Sequence, residues 1–298
     1  MDWCEFTFLA STNNNWRSPV FPGSMLRGAF GHSLKQIVCV MRNRGCEGCQ
    51  LEYSCIYTQM FETRPHKNKN IMRKYTRIPH PFVLVVDMVA DRTTTGILSF
   101  GIRLFGEAGR YSPFCIRAFH NALARGLSRN KDKFTLDTII AGGKRYQISQ
   151  GDEYPPPVIQ SAPTALSRKV RFLLRTPLRL ASGGKLMTPE SFDASVFVAA
   201  AVRRYGLLNQ FYGYAEQPDF KLLKKECMKV KLLSSSLEWT KLMRYSSRQN
   251  KLNSMGGLCG TIELDIGSSS ELGSILAWLP IINLGKATSM GLGRVEVD

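Results

Sequence analysis

The stretch Gly151-Asp152-Glu153-Tyr154-Pro155-Pro156-Pro157 decides how the chain is read. Three consecutive prolines cannot continue a helix or a central strand and hold an extended spacer, so residues 1–153 and 158–298 are read as separate domains. A length of 298 residues, at about 150 per domain, agrees with two. Upstream, hydrophobic periodicity gives a strand at Phe6 to Ala10 and a helix at Met25 to Met41. Strands follow at Phe82 to Val89 and Ile97 to Phe105, then a helix at Ser112 to Leu127 and a strand around Tyr146 to Ile148. Downstream come a strand at Val170 to Arg175, a helix at Phe192 to Tyr212, strands at Met228 to Trp239 and Gly260 to Ile266, a short helix at Glu271 to Leu279 and a strand at Arg294 to Val297. Each half spells β-α-β-β-α-β, the order of the ferredoxin-like (RRM-like) unit, an antiparallel four-stranded sheet with two helices on one face. The predicted class is α+β: two tandem ferredoxin-like domains, with a Cys-rich insertion at about 39–66 in the first. Sheet faces and a central cleft would be free to hold an extended strand of RNA.

Charge points to a polyanionic partner. Forty Lys and Arg against twenty-three Asp and Glu leave +17, and the pI of 9.7 exceeds the value of about 9 that marks nucleic-acid-binding domains. A membrane surface would attract the same charge, but no run of about 18 apolar residues occurs. Met1-Asp2-Trp3-Cys4-Glu5 has neither the basic start nor the apolar stretch of a secretion signal. The expectation is a soluble cytoplasmic protein without a membrane partner, and 44% hydrophobic residues suffice for two cores.

Basic residues concentrate in the second half. The last fourteen residues place Gly285, Gly291 and Gly293 with Lys286 and Arg294 in a loop before the final strand. Such a loop can turn consecutive N–H groups toward a phosphate while the cations supply charge; it also fits a tight turn before an edge strand. Arg244, Arg248, Gln249 and Lys251 surround Tyr245 just before Gly256-Gly257. That mixture offers phosphate-binding cations, a ring to stack on a base and an amide to read its edge; a plain basic surface loop is the alternative. Strand alternation sends Lys169, Arg171 and Arg175 to one face, whereas Lys221, Lys224, Lys225, Lys229 and Lys231 read as a general electrostatic patch.

Four stretches together resemble the CRISPR repeat-processing endoribonucleases of the RAMP superfamily: Phe21-Pro22-Gly23-Ser24-Met25-Leu26-Arg27-Gly28-Ala29-Phe30-Gly31-His32, the cysteine cluster ending in Phe61-Glu62, Arg244-Tyr245-Ser246-Ser247-Arg248-Gln249 with Gly256-Gly257, and the terminal glycine-rich loop. The resemblance implies cleavage of the repeat in a precursor transcript without a catalytic metal. The ribose 2′-hydroxyl would attack the adjacent phosphate, leaving a 2′,3′-cyclic phosphate and a 5′-hydroxyl. It implies CRISPR repeat RNA and the mature guide RNA as partners, with other effector-complex subunits, and Arg27 joins the RNA-contacting candidates. A RAMP subunit that holds guide RNA as a scaffold shares Arg27-Gly28-Ala29 and the terminal glycines, and stays open. A metal-dependent nuclease lacks a carboxylate pair at suitable spacing, since Asp87 and Asp91 are separated by a predicted strand end.

The implied reaction needs a base, an acid and cations, and histidine titrates near working pH. On the first helix Leu26, Phe30, Leu34 and Ile37 form the stripe that faces the sheet, while His32 and Lys35 project from the opposite side, three apart and therefore neighbours. Gly28, one turn earlier, leaves room for a ribose. His32 and Lys35 are the catalytic candidates; a solvated helix face carries the same pattern. His120 lies off the apolar stripe of the second helix and is expected at the surface. His80, in Pro79-His80-Pro81, reads as structural, and His66 sits in a basic loop. Tyr57, Tyr111 and Tyr245 are unranked alternatives for proton donation.

Cys39, Cys46, Cys49 and Cys55 fall within one short segment around a central C-x2-C. In a reducing compartment four thiolates suit a structural zinc, with an iron–sulfur cluster as the alternative. Four cysteines would fill every position of a tetrahedral ion, so the site is not expected to be catalytic. Cys4, Cys115, Cys227 and Cys259 lie on apolar stretches and are expected in cores.

Overall fold

Trp3–Ser11 alternates half-buried and buried positions along its whole length, sending Cys4, Phe6, Phe8 and Ala10 to one face. In the computed structural model, which describes residues 1–41, 45–63, 78–89, 96–128, 130–148, 153–246 and 251–298, this strand, β1, is the centre of the first sheet. The first unit continues with α1 (Gly23–Val38), β2 (Phe82–Val85), β3 (Ile97–Phe105), α2 (Ser112–Arg125), β4 (Thr135–Ala141) and β5 (Lys144–Gln147). The sheet order is β2-β3-β1-β4-β5. Antiparallel pairing of β1 with β3 runs in unbroken register from Trp3 opposite Phe105 to Ser11 opposite Ile97. Its first four strands have the ferredoxin-like order. The helices bury one face: Phe30 of α1 stacks on Phe119 of α2 at 4.6 Å, and Phe119 meets Phe8 and Phe100 at 5.0 and 4.9 Å.

The strand expected around Tyr146 to Ile148 is an addition to that order. The fourth strand proper is β4, and β5 folds back on it through Gly142-Gly143, both at positive φ. Thr135–Ala141 buries Leu136, Ile139 and Ala141 but also Thr138, which blurs the period-2 pattern.

The second unit comprises β6 (Lys169–Leu178), a hairpin of β7 (Ala181–Ser182) and β8 (Lys185–Leu186), α3 (Ala194–Tyr212), α4 (Phe220–Cys227), β9 (Lys231–Thr240), β10 (Met243–Ser246), β11 (Lys251–Ser254), β12 (Gly257–Asp265), α5 (Ser270–Leu276), α6 (Leu279–Ile282) and β13 (Val295–Val297). Its sheet order, β13-β6-β12-β9, is again the ferredoxin-like one. Phe172, Leu174, Phe197, Ala201, Ile262 and Leu276 share its core. The lysine-rich patch conceals α4, which the sequence reading does not contain. Asp219 caps it by accepting from the Lys221 and Leu222 amides at 2.9 and 3.1 Å, and it buries Leu223 and Cys227. The helix expected at Glu271 to Leu279 is two short ones, the second beginning at Trp278-Leu279-Pro280.

The chain divides between residues 161 and 162, with Phe211–Gly213 grouped in the first unit. The prolines therefore belong to the first unit rather than to a free spacer. The Gln160 amide donates to the Trp3 carbonyl at 2.9 Å, and the Trp3 indole donates to the Ser161 carbonyl at 3.2 Å, tying the segment back to β1. Cys4, Cys115 and Cys227 are buried as expected, whereas Cys259 is half-buried. Burial pushes the Cys4 thiol up to about 12, so it stays protonated at neutral pH.

Candidate active site

Helix α1 buries Leu26, Phe30 and Leu34, which fixes its rotation and leaves His32 exposed. Gln36, one turn on, places its amide nitrogen 3.0 Å from His32 Nε2. From α2, Arg125 donates to Gln36 Oε1 and, at 3.1 Å, to Ser33 Oγ. A guanidinium can only donate, so it fixes Oε1 as the acceptor and the Gln36 nitrogen as the donor. His32 Nε2 therefore accepts, and its neutral tautomer carries the proton on Nδ1. Gly28 is exposed, with nothing within 4 Å of where a Cβ would stand. Gln36 and Arg125 were missed from sequence. Gln36 was findable as an amide four residues from His32; Arg125, 89 residues from Gln36, was not.

Lys35 is turned away from this pair, with its ammonium over the Tyr57 ring at 5.4 Å. Tyr57 stacks on Phe61 at 5.2 Å, and Arg27 lies over Phe61 at 5.1 Å while its NH2 group sits 3.2 Å from His80 Nε2. The helix thus presents two faces: His32 with Gln36, and Arg27 with Lys35 against the rings of the Cys-rich insertion. His80 stacks on Phe82 at 5.6 Å, which agrees with a structural role. Tyr111 donates to Gln59 Oε1 at 2.6 Å. His120 is not the surface residue expected. It is half-buried with Nδ1 2.8 Å from the Tyr154 hydroxyl, and burial, then Arg117, pulls its pKa down. His66 lies outside the described residues.

In the second unit β10 and β11 pair as a hairpin that sets Arg244 opposite Asn253, Tyr245 opposite Leu252 and Ser246 opposite Lys251. Arg248 and Gln249 lie outside the described residues. Arg244 reaches the terminal loop, with NH1 3.7 Å from Met290 Sδ, so two of the stretches singled out in the sequence meet here.

The loop itself is organised differently from the expectation. Gly285, Gly291 and Gly293 have φ of 86°, 89° and 66°, a region that favours glycine. Their neighbours are the chain's own backbone: a Cβ at Gly285 would stand 2.7 Å from the Arg179 carbonyl oxygen, and one at Gly293 would overlap that of Leu284. The amides of Lys286, Gly291 and Gly293 donate to the carbonyls of Arg179, Thr288 and Pro177 at 3.1, 2.9 and 3.2 Å. Those three N–H groups are not turned toward an anion. Lys286 is exposed, while Arg294 pairs with Glu296 at 2.9 Å. On β6, Lys169, Arg171 and Arg175 are exposed on one face as predicted, with Arg175 held by Glu296 at 2.6 Å.

Cys39, Cys46, Cys49 and Cys55 are half-buried and line one cavity with Met41, Gly45, Tyr57 and Thr58. Among the described residues no three Cys, His, Asp or Glu side chains are gathered closely enough to hold an ion as they stand.

Residues 1–163 match a family described as AF_1859_N, an N-terminal domain, and residues 171–295 match the family of the CRISPR-associated endoribonuclease Cas6. Residues 171–295 thus belong to the Cas6 family. Cas6 (TTHB231) of Thermus thermophilus, in a product complex, aligns over 99% of both chains with a TM-score of 0.63 and 16% identity. Cas6 (TTHA0078) in a substrate mimic complex covers 100% of both chains with a TM-score of 0.53 and 15% identity. In a partial Cas6-RT-Cas1–Cas2 complex, 46% of a longer chain matches all of this one with a TM-score of 0.58 and 9% identity. These likenesses carry the fold and not the roles of residues. No curated protein matches the sequence. This Cas6-type chain is an endoribonuclease of CRISPR RNA processing, and among its described residues no helix is long and apolar enough to cross a membrane.

Proposed function

We propose that this chain cuts the repeat of a precursor CRISPR transcript without a metal ion, with His32 as the base. The observation that carries the reading is the exposed imidazole whose Nε2 is set as an acceptor by Gln36 and Arg125. A ribose 2′-hydroxyl taking the place of the Gln36 amide would give its proton to Nε2. The O2′–P bond then forms, the P–O5′ bond breaks, and the 5′ oxygen takes up a proton, leaving a 2′,3′-cyclic phosphate and a 5′-hydroxyl. Lys35, on the same helix, would supply positive charge for the pentacoordinate phosphorus by swinging from the Tyr57 ring toward the scissile phosphate. Arg27, Arg244, Tyr245, Arg248, Gln249, Lys251, Lys286 and Arg294 are the proposed RNA contacts, with Gly285, Gly291 and Gly293 shaping the loop that carries the last two.

The test is cleavage of end-labelled repeat RNA in excess EDTA, with mass analysis of the product ends. Cutting at one site with a cyclic phosphate is expected, and a 2′-deoxyribose at that site should abolish it. Loss of cutting in EDTA, restored by added divalent cation, would refute metal independence. Binding without cutting under either condition would favour a guide-holding scaffold.

A further inference from the structure

We propose that Cys39, Cys46, Cys49 and Cys55 bind one zinc ion, and that the ion fastens the insertion against α1. The four cysteines, spaced along one short segment, line a single cavity, whose other described walls are Met41, Gly45, Tyr57 and Thr58. Among the described residues no carboxylate or imidazole lines it, so the donor set they offer is sulfur alone, which selects zinc, copper(I) or an iron–sulfur cluster over magnesium, calcium or manganese. Size separates these candidates further. The cavity holds about 20 Å3, close to the space of one water molecule, which suits a single ion. In a compartment that keeps thiols reduced, a single ion held by four thiolates is the commonest use of this spacing. The thiols must turn inward on their χ1 angles to reach about 2.3 Å from the ion, releasing their protons to solvent.

The fold gives the ion a task. Cys39 is the C-cap of α1, its amide donating to the Lys35 carbonyl at 2.9 Å. Cys46, Cys49 and Cys55 sit in a succession of turns, in which Cys49 N–H donates to Cys46 at 3.4 Å and Cys55 N–H to Leu51 at 2.8 Å. Leu51 is exposed, so residues 45–55 bury little apolar surface of their own. Immediately after Cys55 the chain turns inward: Met60 and Phe61 are buried, and a Cβ on Gly31 would stand 2.9 Å from the Phe61 ring. A tie between Cys39 and Cys55 therefore joins the end of α1 to the start of the segment that puts Tyr57 under Lys35 and Phe61 under Arg27.

The experiment uses the full chain purified without chelators or immobilised metal. Mass spectrometry of metals should find about one zinc per chain. The zinc should fall to background when Cys46→Ser and Cys49→Ser are combined, and stay unchanged in Cys227→Ser. Because the double variant may fail to fold, a second measurement follows hydrogen exchange in the parent after zinc is stripped by a mercurial and a chelator. Residues 45–63 should lose protection while β1 and β3 keep theirs. Iron in place of zinc, no metal with four freely titrating thiols, or zinc retained in the double variant would each overturn the proposal. None of these readouts depends on RNA cleavage.

Discussion

Replacing His32 by alanine separates chemistry from architecture, because the side chain is exposed and its one hydrogen bond among the described residues is to a surface glutamine. Surface changes of this kind alter stability by at most about 0.5 kcal/mol, so the melting temperature should stay within about 2 °C of the parent. A positioned base is worth about 100- to 10,000-fold in rate, or about 2.7–5.4 kcal/mol of transition-state stabilisation. Gln36→Ala makes the informative comparison: the ribose hydroxyl has to displace this amide from Nε2, so deleting one neutral hydrogen bond, worth about 0.5–1.5 kcal/mol, should change the rate by no more than about 2- to 12-fold, toward faster cutting. Single-turnover cleavage of labelled repeat RNA, with protein in excess and binding measured separately, reads both. The expected order is Gln36→Ala at or above the parent, and His32→Ala far below both, with RNA affinity nearly unchanged throughout. If His32→Ala cuts within threefold of the parent while its melting curve is unaltered, the assignment of the base is wrong. If Gln36→Ala loses as much as His32→Ala, the amide takes part in the reaction and is not merely displaced by the ribose.

Other perturbations follow from the same contacts. Burial and Arg117 lower the His120 pKa from 6.5, so the unfolded chain takes up a proton that the fold refuses. Stability should fall as pH drops through 6.5 toward the folded value, and urea titrations across that range should show the slope flatten in His120→Gln. Asp265 behaves in the opposite sense to a raised group: the Arg168 fork, at 2.9 and 3.1 Å, and then the Gly267 amide hold its carboxyl at about 2. Its contribution is present above the ordinary 3.8 and is lost as pH falls through about 2, which a carbon-detected carboxyl titration would follow. Gly293→Ala should cost about 2–5 kcal/mol from left-handed strain plus displacement of Leu284; an unchanged thermal midpoint would show that the terminal loop is not packed as described.

What the sequence made legible depended on whether a signal was local. Phe6 and Phe8 alternate with Glu5 and Thr7, and Leu26, Phe30 and Leu34 recur at helical spacing, so β1 and α1 could be read directly. Thr135–Ala141 could not, because Thr138 sits at a buried position and hides the alternation. Helix α4 is eight residues with only Leu223 and Cys227 buried, too few for a period to stand out among lysines. The glycine-rich loop was read as a glycine site correctly and explained incompletely. Glycine marks where something approaches the backbone closely, and the sequence does not say what approaches; at Gly285 and Gly293 it is the carbonyls of Arg179 and Leu284.

The same distinction explains why the candidate site needs residues from outside its own helix. In a ferredoxin-like unit the inward stripe of the first helix is consumed by the core, here by Phe30 against Phe119 and Phe82, which leaves only outward positions for chemistry. An outward histidine on a lone helix has no fixed tautomer and an outward lysine no fixed direction, since nothing above them restrains either. Here both restraints arrive laterally: Arg125 from α2 orders Gln36 and through it His32, and Tyr57 from the insertion receives Lys35. The histidine and lysine belong to the helix sequence, but their preorganisation belongs to the packing of two neighbours that no local pattern encodes. Substituting Arg125 by methionine, which keeps the length of the stem but not the donor fork, should therefore change cleavage in the same direction and to the same degree as Gln36→Ala and add nothing to it in the double variant, whereas two independent effects would multiply.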